Sequence, residues 1–161
     1  MTTLMSPEAI EGQLLDQEHR QMRAGLSSLQ EAIGRSHAMS RSDAIDRVAR
    51  TLAWLRREVL PHAAWEEAWL YPHLDTAAGT PWATQALRFQ HGQIKEVATA
   101  LERAFASAEV RWSAEGALQL TIALTRLEAL ISAHLAQEEW FVGPLLELTG
   151  HVDAQRHGAR S

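Results

Sequence analysis

The sequence predicts an all-α fold, an up-down-up-down antiparallel four-helix bundle with a pseudo-twofold internal repeat. Apolar side chains recur at alternating spacings of three and four residues in four stretches, which is typical of helices with one buried face. Sustained alternation with period two, the mark of a half-buried strand, does not occur. The connections around residues 34–42, 75–80 and 107–113 are short, and short connections join antiparallel helices.

Capping signals place the first two helices. The first is expected to begin at Pro7, after the cap Ser6, and to end near Gly34. The second is expected to begin after a Ser42 cap and to end around Pro72.

The third helix should follow Thr80 and Pro81, again a cap with a proline, and the fourth should follow Ser113. The apolar period stops near residue 150. We therefore predict one bundle domain over residues 1–149 and a flexible tail over residues 150–161.

Composition narrows the classes of function. The chain holds 15 Lys plus Arg against 20 Asp plus Glu, and this net charge of −5 disfavours nucleic acid as a partner. The sequence shows neither a secretory leader nor an apolar run long enough for a membrane, so a soluble cytoplasmic protein without a membrane partner is expected. Because cysteine is absent, a bound metal must use histidine and carboxylate ligands.

The second half of the chain resembles the first at an offset of 72 residues. Such self-similarity predicts that one helix pair is a diverged copy of the other and that the bundle is pseudo-symmetric. The matched pairs are His19 and His91, His62 and His134, Glu66 and Glu138, and Pro72 and Pro144.

Six polar residues occupy positions that the apolar period assigns to the core. One buried histidine is usually a hydrogen-bonded structural residue, but two buried carboxylates require a countercharge or a metal. Counted from the loops at about 1.5 Å per residue, the six fall within one layer of the bundle. They are His19, His62, Glu66, His91, His134 and Glu138.

Each His-x-x-x-Glu places an imidazole and a carboxylate one turn apart on one helix face. The set therefore predicts two metal ions, and its nitrogen and carboxylate ligands suit iron, manganese or zinc. One ion would bind His19 and His62, the other would bind His91 and His134, and Glu66 and Glu138 would bridge them.

This order of motifs resembles the hemerythrin-like, or HHE cation-binding, domain family. One histidine stands on the first and on the third helix, and His-x-x-x-Glu stands on the second and on the fourth. Residues 66–74 and 138–146 are similar to the family's flanking segments. The resemblance implies two iron ions with a bridging oxo or hydroxo group at the six residues, which bind oxygen or a related small molecule such as peroxide or nitric oxide.

One position departs from the oxygen carriers of that family. They have a second histidine one turn after the third-helix histidine, where this chain has Lys95, and Arg23 matches Lys95 in the first repeat. Lys95 is expected to point into solvent, with coordination or hydrogen bonding near the site as the alternative. A centre with one nitrogen fewer has more open positions, which favours sensing, storage or scavenging over bulk transport.

Two other functions stay open. The same site suits a di-iron oxidase, peroxidase or nitric-oxide-handling enzyme, and a metal-free helical interaction module would need no ion. The sequence assigns no catalytic residue, so it does not decide between binding and catalysis.

Several neighbouring residues have plainer interpretations. Glu67 and Glu139 are expected on solvated faces, with hydrogen bonds to a ligand histidine as the alternative. Tyr71 is expected to be structural, with a hydrogen bond near the centre as the alternative. A basic group is expected to form a solvated helix face, and it consists of Arg47, Arg50, Arg56 and Arg57.

Overall fold

Four long helices form a bundle. The structure is a computed structural model that describes the backbone of residues 7–34 and 40–158 and the side chains of residues 17–34 and 40–142. Within these ranges there is no strand, which confirms the all-α prediction. None of the described helices combines the length and the apolar character needed to cross a membrane.

The second long helix is continuous but changes its winding four times, whereas the other three are α-helical throughout. The first, third and fourth long helices are α1 (Pro7–Gly34), α5 (Gln85–Val110) and α6 (Ala114–Gly158). The second consists of α2 (Arg41–Trp54), π1 (Leu55–Val59), α3 (Leu60–Trp65), π2 (Glu66–Leu70) and α4 (Tyr71–Ala77).

Each π segment comes just before a proline. Pro61 and Pro72 have no backbone N–H, and in an α-helix their rings collide with the carbonyl four residues earlier. In π1 the N–H of Leu60 bonds to the carbonyl of Leu55, five residues back, and this wider turn accommodates the proline. The prediction that the helix ends around Pro72 is therefore wrong, because the helix continues to Ala77.

The cap of α2 is Ser40 and not Ser42. Ser40 Oγ accepts a hydrogen bond from the N–H of Asp43, and Ser40 N–H donates to the Asp43 carboxylate, which together form a capping box. Ser42 has Ile45 three residues later and cannot make the reciprocal bond. The Ser113 prediction is confirmed, since its Oγ accepts from the third residue of the turn that follows.

The third long helix begins four residues later than predicted. Residues 81–84 form turns, and α5 starts at Gln85. The backbone N–H and the hydroxyl of Thr84 both donate to Asp75 Oδ1 at 3.0 Å. This side-chain acceptor at the end of α4 stabilises the turns, and the proline signal at Pro81 could not reveal it.

The backbone of the predicted tail is helical as far as α6 extends. α6 continues to Gly158, so the loss of apolar period near residue 150 does not mark the end of the helix. Residues 159–161 and Ser6 lie outside the described residues. The flexibility of the tail and the domain boundary at residue 149 stay predictions.

Two apolar clusters lie on either side of one polar layer. The larger includes Met22, Val59, Ile94 and Leu135, and the smaller packs around Tyr71. On the second and third long helices the three predicted site residues lie between members of the two clusters; they are His62, Glu66 and His91. The polar layer is therefore closed on both sides by packed hydrocarbon.

Candidate metal centre

All six predicted site residues lie together and are buried. None of them is more than 6% exposed, and both carboxylates are fully buried. Their donor atoms form two groups that share one carboxylate. The first donor group is His19, His62, Glu66 and Glu138, and the second donor group is Glu66, His91 and His134.

In the first donor group, the four donor atoms lie within 4.8 Å of one another. His62 Nε2 is 2.8 Å from Glu66 Oε1, and His19 Nε2 is 3.4 Å from Glu138 Oε2. With neutral imidazoles these four atoms are all acceptors, so within the described residues they make no hydrogen bond despite the short distances. Four buried acceptors that face one another are unfavourable unless a cation or a proton binds between them.

In the second donor group, two imidazoles face each other. His91 Nε2 and His134 Nε2 are 3.1 Å apart, and Glu66 Oε2 is 3.2 Å from His91 Nε2 and 3.9 Å from His134 Nε2. Glu138 Oε2 also lies 3.2 Å from His134 Nε2. Glu66 therefore belongs to both donor groups, whereas Glu138 belongs to the first and also lies beside His134 of the second.

The outer nitrogen of each histidine faces an oxygen acceptor. The Nδ1 atoms of His62, His91 and His134 lie 2.7–3.2 Å from Glu18, Glu67 and Gln90, respectively, and His19 Nδ1 lies 3.9 Å from Glu139. At the three hydrogen-bonded histidines these acceptors favour a proton on Nδ1 and leave the Nε2 lone pairs directed inward. Histidines that bind metals are held in this way.

Two of these acceptors are themselves held by cations. Lys95 Nζ donates to both oxygens of Glu67, at 2.9 and 3.1 Å, and Arg23 donates to Glu139. Burial raises the pKa of Glu67, but the hydrogen bonds from Lys95 and His91 outweigh it and lower the pKa overall. The expectation that Glu67 is only solvated is wrong. Lys95 is half-exposed and contacts the site through Glu67, outside both donor groups.

Tyr71 enters the polar layer from the smaller apolar cluster. Its hydroxyl donates to Glu138 Oε1 at 2.9 Å and lies 3.3 Å from Glu66 Oε2 and 3.4 Å from His91 Nε2. Burial, followed by the charges of both carboxylates, raises the pKa of Tyr71, so the phenol keeps its proton. The guanidinium of Arg88 covers the outer face of the ring at 5.2 Å from its centroid.

The shifted pKa values of two residues indicate that the centre attracts positive charge. Burial alone lowers the pKa of His62, but hydrogen bonds and charge from Glu66 and Glu18 outweigh it and raise the pKa to about 9. Burial alone raises the pKa of Glu138, and bonds from His134 and His19 reverse this and lower it. The layer therefore keeps its carboxylate ionised and gathers protons where a cation would otherwise bind.

A match to a protein-family model shows which family the chain belongs to. The Hemerythrin HHE cation binding domain matches residues 12–146. The chain belongs to the hemerythrin HHE cation-binding family. No curated protein and no solved structure matches the chain. A cation-binding hemerythrin-type layer fits the residues present, since its donors are imidazole and carboxylate and four of them lack any other partner.

Three residues that contact the centre were not predicted from the sequence; they are Glu18, Gln90 and Arg88. Glu18 and Gln90 each precede a histidine of the centre and are 72 residues apart, so the repeat offset contained the signal. Arg88 had no such signal. It bonds to Thr84, to Asp75 and to the carbonyl of Glu67, contacts that only the folded chain brings together.

Proposed function

We propose that the six buried residues hold two iron ions with a bridging oxo or hydroxo group. The protein would bind oxygen or a related small molecule, such as peroxide or nitric oxide, in the cytoplasm for sensing, storage or scavenging. Bound iron supplies reversible coordination and one-electron exchange with such molecules. No nucleic-acid or membrane partner is part of this proposal, because the net charge is −5.

The observation that carries the proposal is the orientation of the four imidazoles. Each has its Nδ1 facing an acceptor outside the layer, and each directs its Nε2 toward Glu66 or Glu138. A purely structural cluster would pair these inner nitrogens with donors. Here the four outer acceptors and the two inner carboxylates favour a set of inward lone pairs.

The second donor group offers the more open position. It has three donors where the first has four, and the Tyr71 hydroxyl lies 3.4 Å from its His91 Nε2. The position one turn after His91 holds Lys95, whose amine bonds to Glu67 outside the layer. We therefore infer that a small molecule approaches beside Tyr71, whose retained proton can donate a hydrogen bond to it.

We also infer that the bundle has up-down-up-down topology and pseudo-twofold symmetry. The support is that contacts outside the layer recur at the same 72-residue offset. The recurring contacts are His62 with Glu18 and His134 with Gln90, His19 with Glu139 and His91 with Glu67, and Arg23 with Glu139 and Lys95 with Glu67.

The deciding experiment is metal analysis coupled to an absorption spectrum before and after exposure to air. We expect two irons per chain and near-ultraviolet bands of oxo-bridged ferric iron in the aerated sample. His134→Ala should lose iron, whereas His73→Ala, at an exposed histidine outside both donor groups, should keep it. Iron content near zero after loading would reject the proposal.

An enzyme at the same site is the second candidate, and the buried Tyr71 hydroxyl between the two carboxylates favours it. Turnover of peroxide or nitric oxide faster than by free iron, lost in His62→Ala, would establish this activity. Absence of turnover in the iron-loaded protein would leave binding as the function. An interaction module would instead show His134→Ala with unchanged stability and no metal in either protein.

A further inference from the structure

A groove of about 570 Å³ lies between α1 and the second long helix. α5 and α6 pack closely, whereas α1 and α2 have few contacts. Four of the lining residues that α1 contributes are small, which leaves space between the two helices. They are Ala24, Gly25, Ser28 and Ala32.

The indole of Trp54 forms an apolar part of the lining. A Cβ atom at residue 25 would lie 2.1 Å from Trp54 Nε1, so the close approach requires Gly25. Trp54 is 7% exposed, and its N–H has no acceptor among the described residues. A buried donor without an acceptor is unfavourable, and this one belongs to the wall of the groove.

The opposite wall carries unpaired positive charge. Arg47 and Arg50 stand one turn apart on the face of α2 that also carries Trp54. In the part of the chain that the structure describes, neither guanidinium has a carboxylate partner. Arg57, further along, is bonded to Glu58 at 2.7 Å. Three arginines against Glu31 and Glu58 make the lining net positive in a protein of net charge −5.

We propose that this groove binds a small organic anion, a carboxylate or a phosphate ester attached to an apolar group. Guanidinium groups bind the paired oxygens of such anions in a fork geometry, and the indole and alanine surfaces suit the apolar part. The volume lies within the roughly 300–1,000 Å³ usual for small-molecule sites. Three of the four arginines that the sequence suggested as a solvated face, Arg47, Arg50 and Arg57, form in this view one side of a binding site.

Isothermal titration of the iron-loaded full-length protein with phenyl phosphate and with benzoate tests the proposal, at one fixed ionic strength. Binding of either anion supports it and identifies which oxygen chemistry is preferred. Benzyl alcohol, which has the same ring and no charge, should not bind. The double variant Arg47→Gln/Arg50→Gln should weaken binding at least about tenfold, the effect of losing two charge-assisted contacts.

A matched double variant, Arg103→Gln/Arg126→Gln, removes two exposed arginines that do not line the groove and should bind as the parent does. Ala24→Trp fills the groove without changing any charge and should abolish binding while circular dichroism stays unchanged. Lack of binding by both anions, equal weakening in the two double variants, or undiminished binding by Ala24→Trp would each overturn the proposal. The metal content is measured in parallel, so failure here is separable from failure of the iron proposal.

Discussion

Each of the two donor groups contains two histidines, but the surroundings of the two groups differ. The first group has four donors and a carboxylate, Glu18, behind His62. The second group has three donors and an amide, Gln90, at the corresponding place behind His134. Tyr71 lies beside the second group, and the residue 72 positions later in the repeat is Gly143.

If one helix pair is a copy of the other, as we infer, this difference shows how the two halves became unequal. The inner donors recur at the 72-residue offset, whereas the residues that tune them differ. A carboxylate behind a ligand histidine makes the imidazole a stronger donor than an amide does. The first group is therefore expected to hold its ion more tightly, and the second to be the more reactive half.

The largest effect should come from the carboxylate that the two groups share. Glu66→Gln removes the one carboxylate that belongs to both groups and leaves the second group without a charged ligand, and we expect the purified protein to lose both ions. Metal analysis after iron loading measures this. Glu102→Gln, at an exposed carboxylate far from the layer, is the matched control and should keep the metal. Retention of one full ion in Glu66→Gln would show that the groups are independent.

The next largest effect should come from exchanging the residues behind the histidines. Glu18→Gln should weaken binding at the first group by about 10–100-fold, and Gln90→Glu should strengthen it at the second. Competition with a chelator measures the affinity for the first and for the second equivalent of iron, which distinguishes the two groups. If Glu18→Gln alters both steps equally, the proposed inequality of the two halves is wrong.

An effect of a different kind is expected in the stability of the metal-free protein. The pKa of His62 is about 9 in the folded chain, above its usual value of 6.5. A raised pKa means that this stabilisation is complete below about pH 6.5 and is lost as the pH rises through 9. The loss amounts to roughly 3 kcal/mol in the free energy of unfolding.

Urea unfolding of the metal-free protein at pH 6 and at pH 9.5 measures this change. In His62→Gln the free energy of unfolding should vary less between the two pH values. Greater stability at the higher pH in the parent protein would contradict the assignment.

The smallest effect belongs to the outer ion pair of Lys95. The amine is half-exposed, so Lys95→Met should cost less than about 1 kcal/mol of stability. It should nevertheless shift the absorption spectrum of the iron-loaded protein, because Glu67 then bonds to His91 without its cation. Arg23→Met is the counterpart for the first group. An unchanged spectrum in both variants would show that these ion pairs do not influence the metal centre.

The all-α class and the six clustered residues could be predicted from sequence because period and burial are coupled. A histidine within an apolar stripe must enter the core, and the rise per residue then sets its depth. The capping errors arose where two signals compete. Ser40 and Ser42 are chemically alike, and only the position of Asp43 separates them.

The groove and the Arg88 contacts could not be predicted, because they depend on how far apart two helices stand. Small residues such as Gly25 and Ala24 allow either close packing or an open space, and the bulk of Trp54 decides between them. Arg88 reaches Asp75 only because the turns at residues 81–84 bring the two helix ends together. Neither distance can be predicted from a local sequence pattern.

The winding of π1 also sets the direction of the two donors that follow it. His62 and Glu66 follow π1, and each residue of an α-helix turns its side chain by about 100°. If Leu55–Val59 were wound as a regular α-helix, both donors would be rotated by about 100° away from the bundle axis, because a π turn takes up one residue more than an α turn. The π winding thus acts as an angular adjustment that keeps both donors directed at the centre.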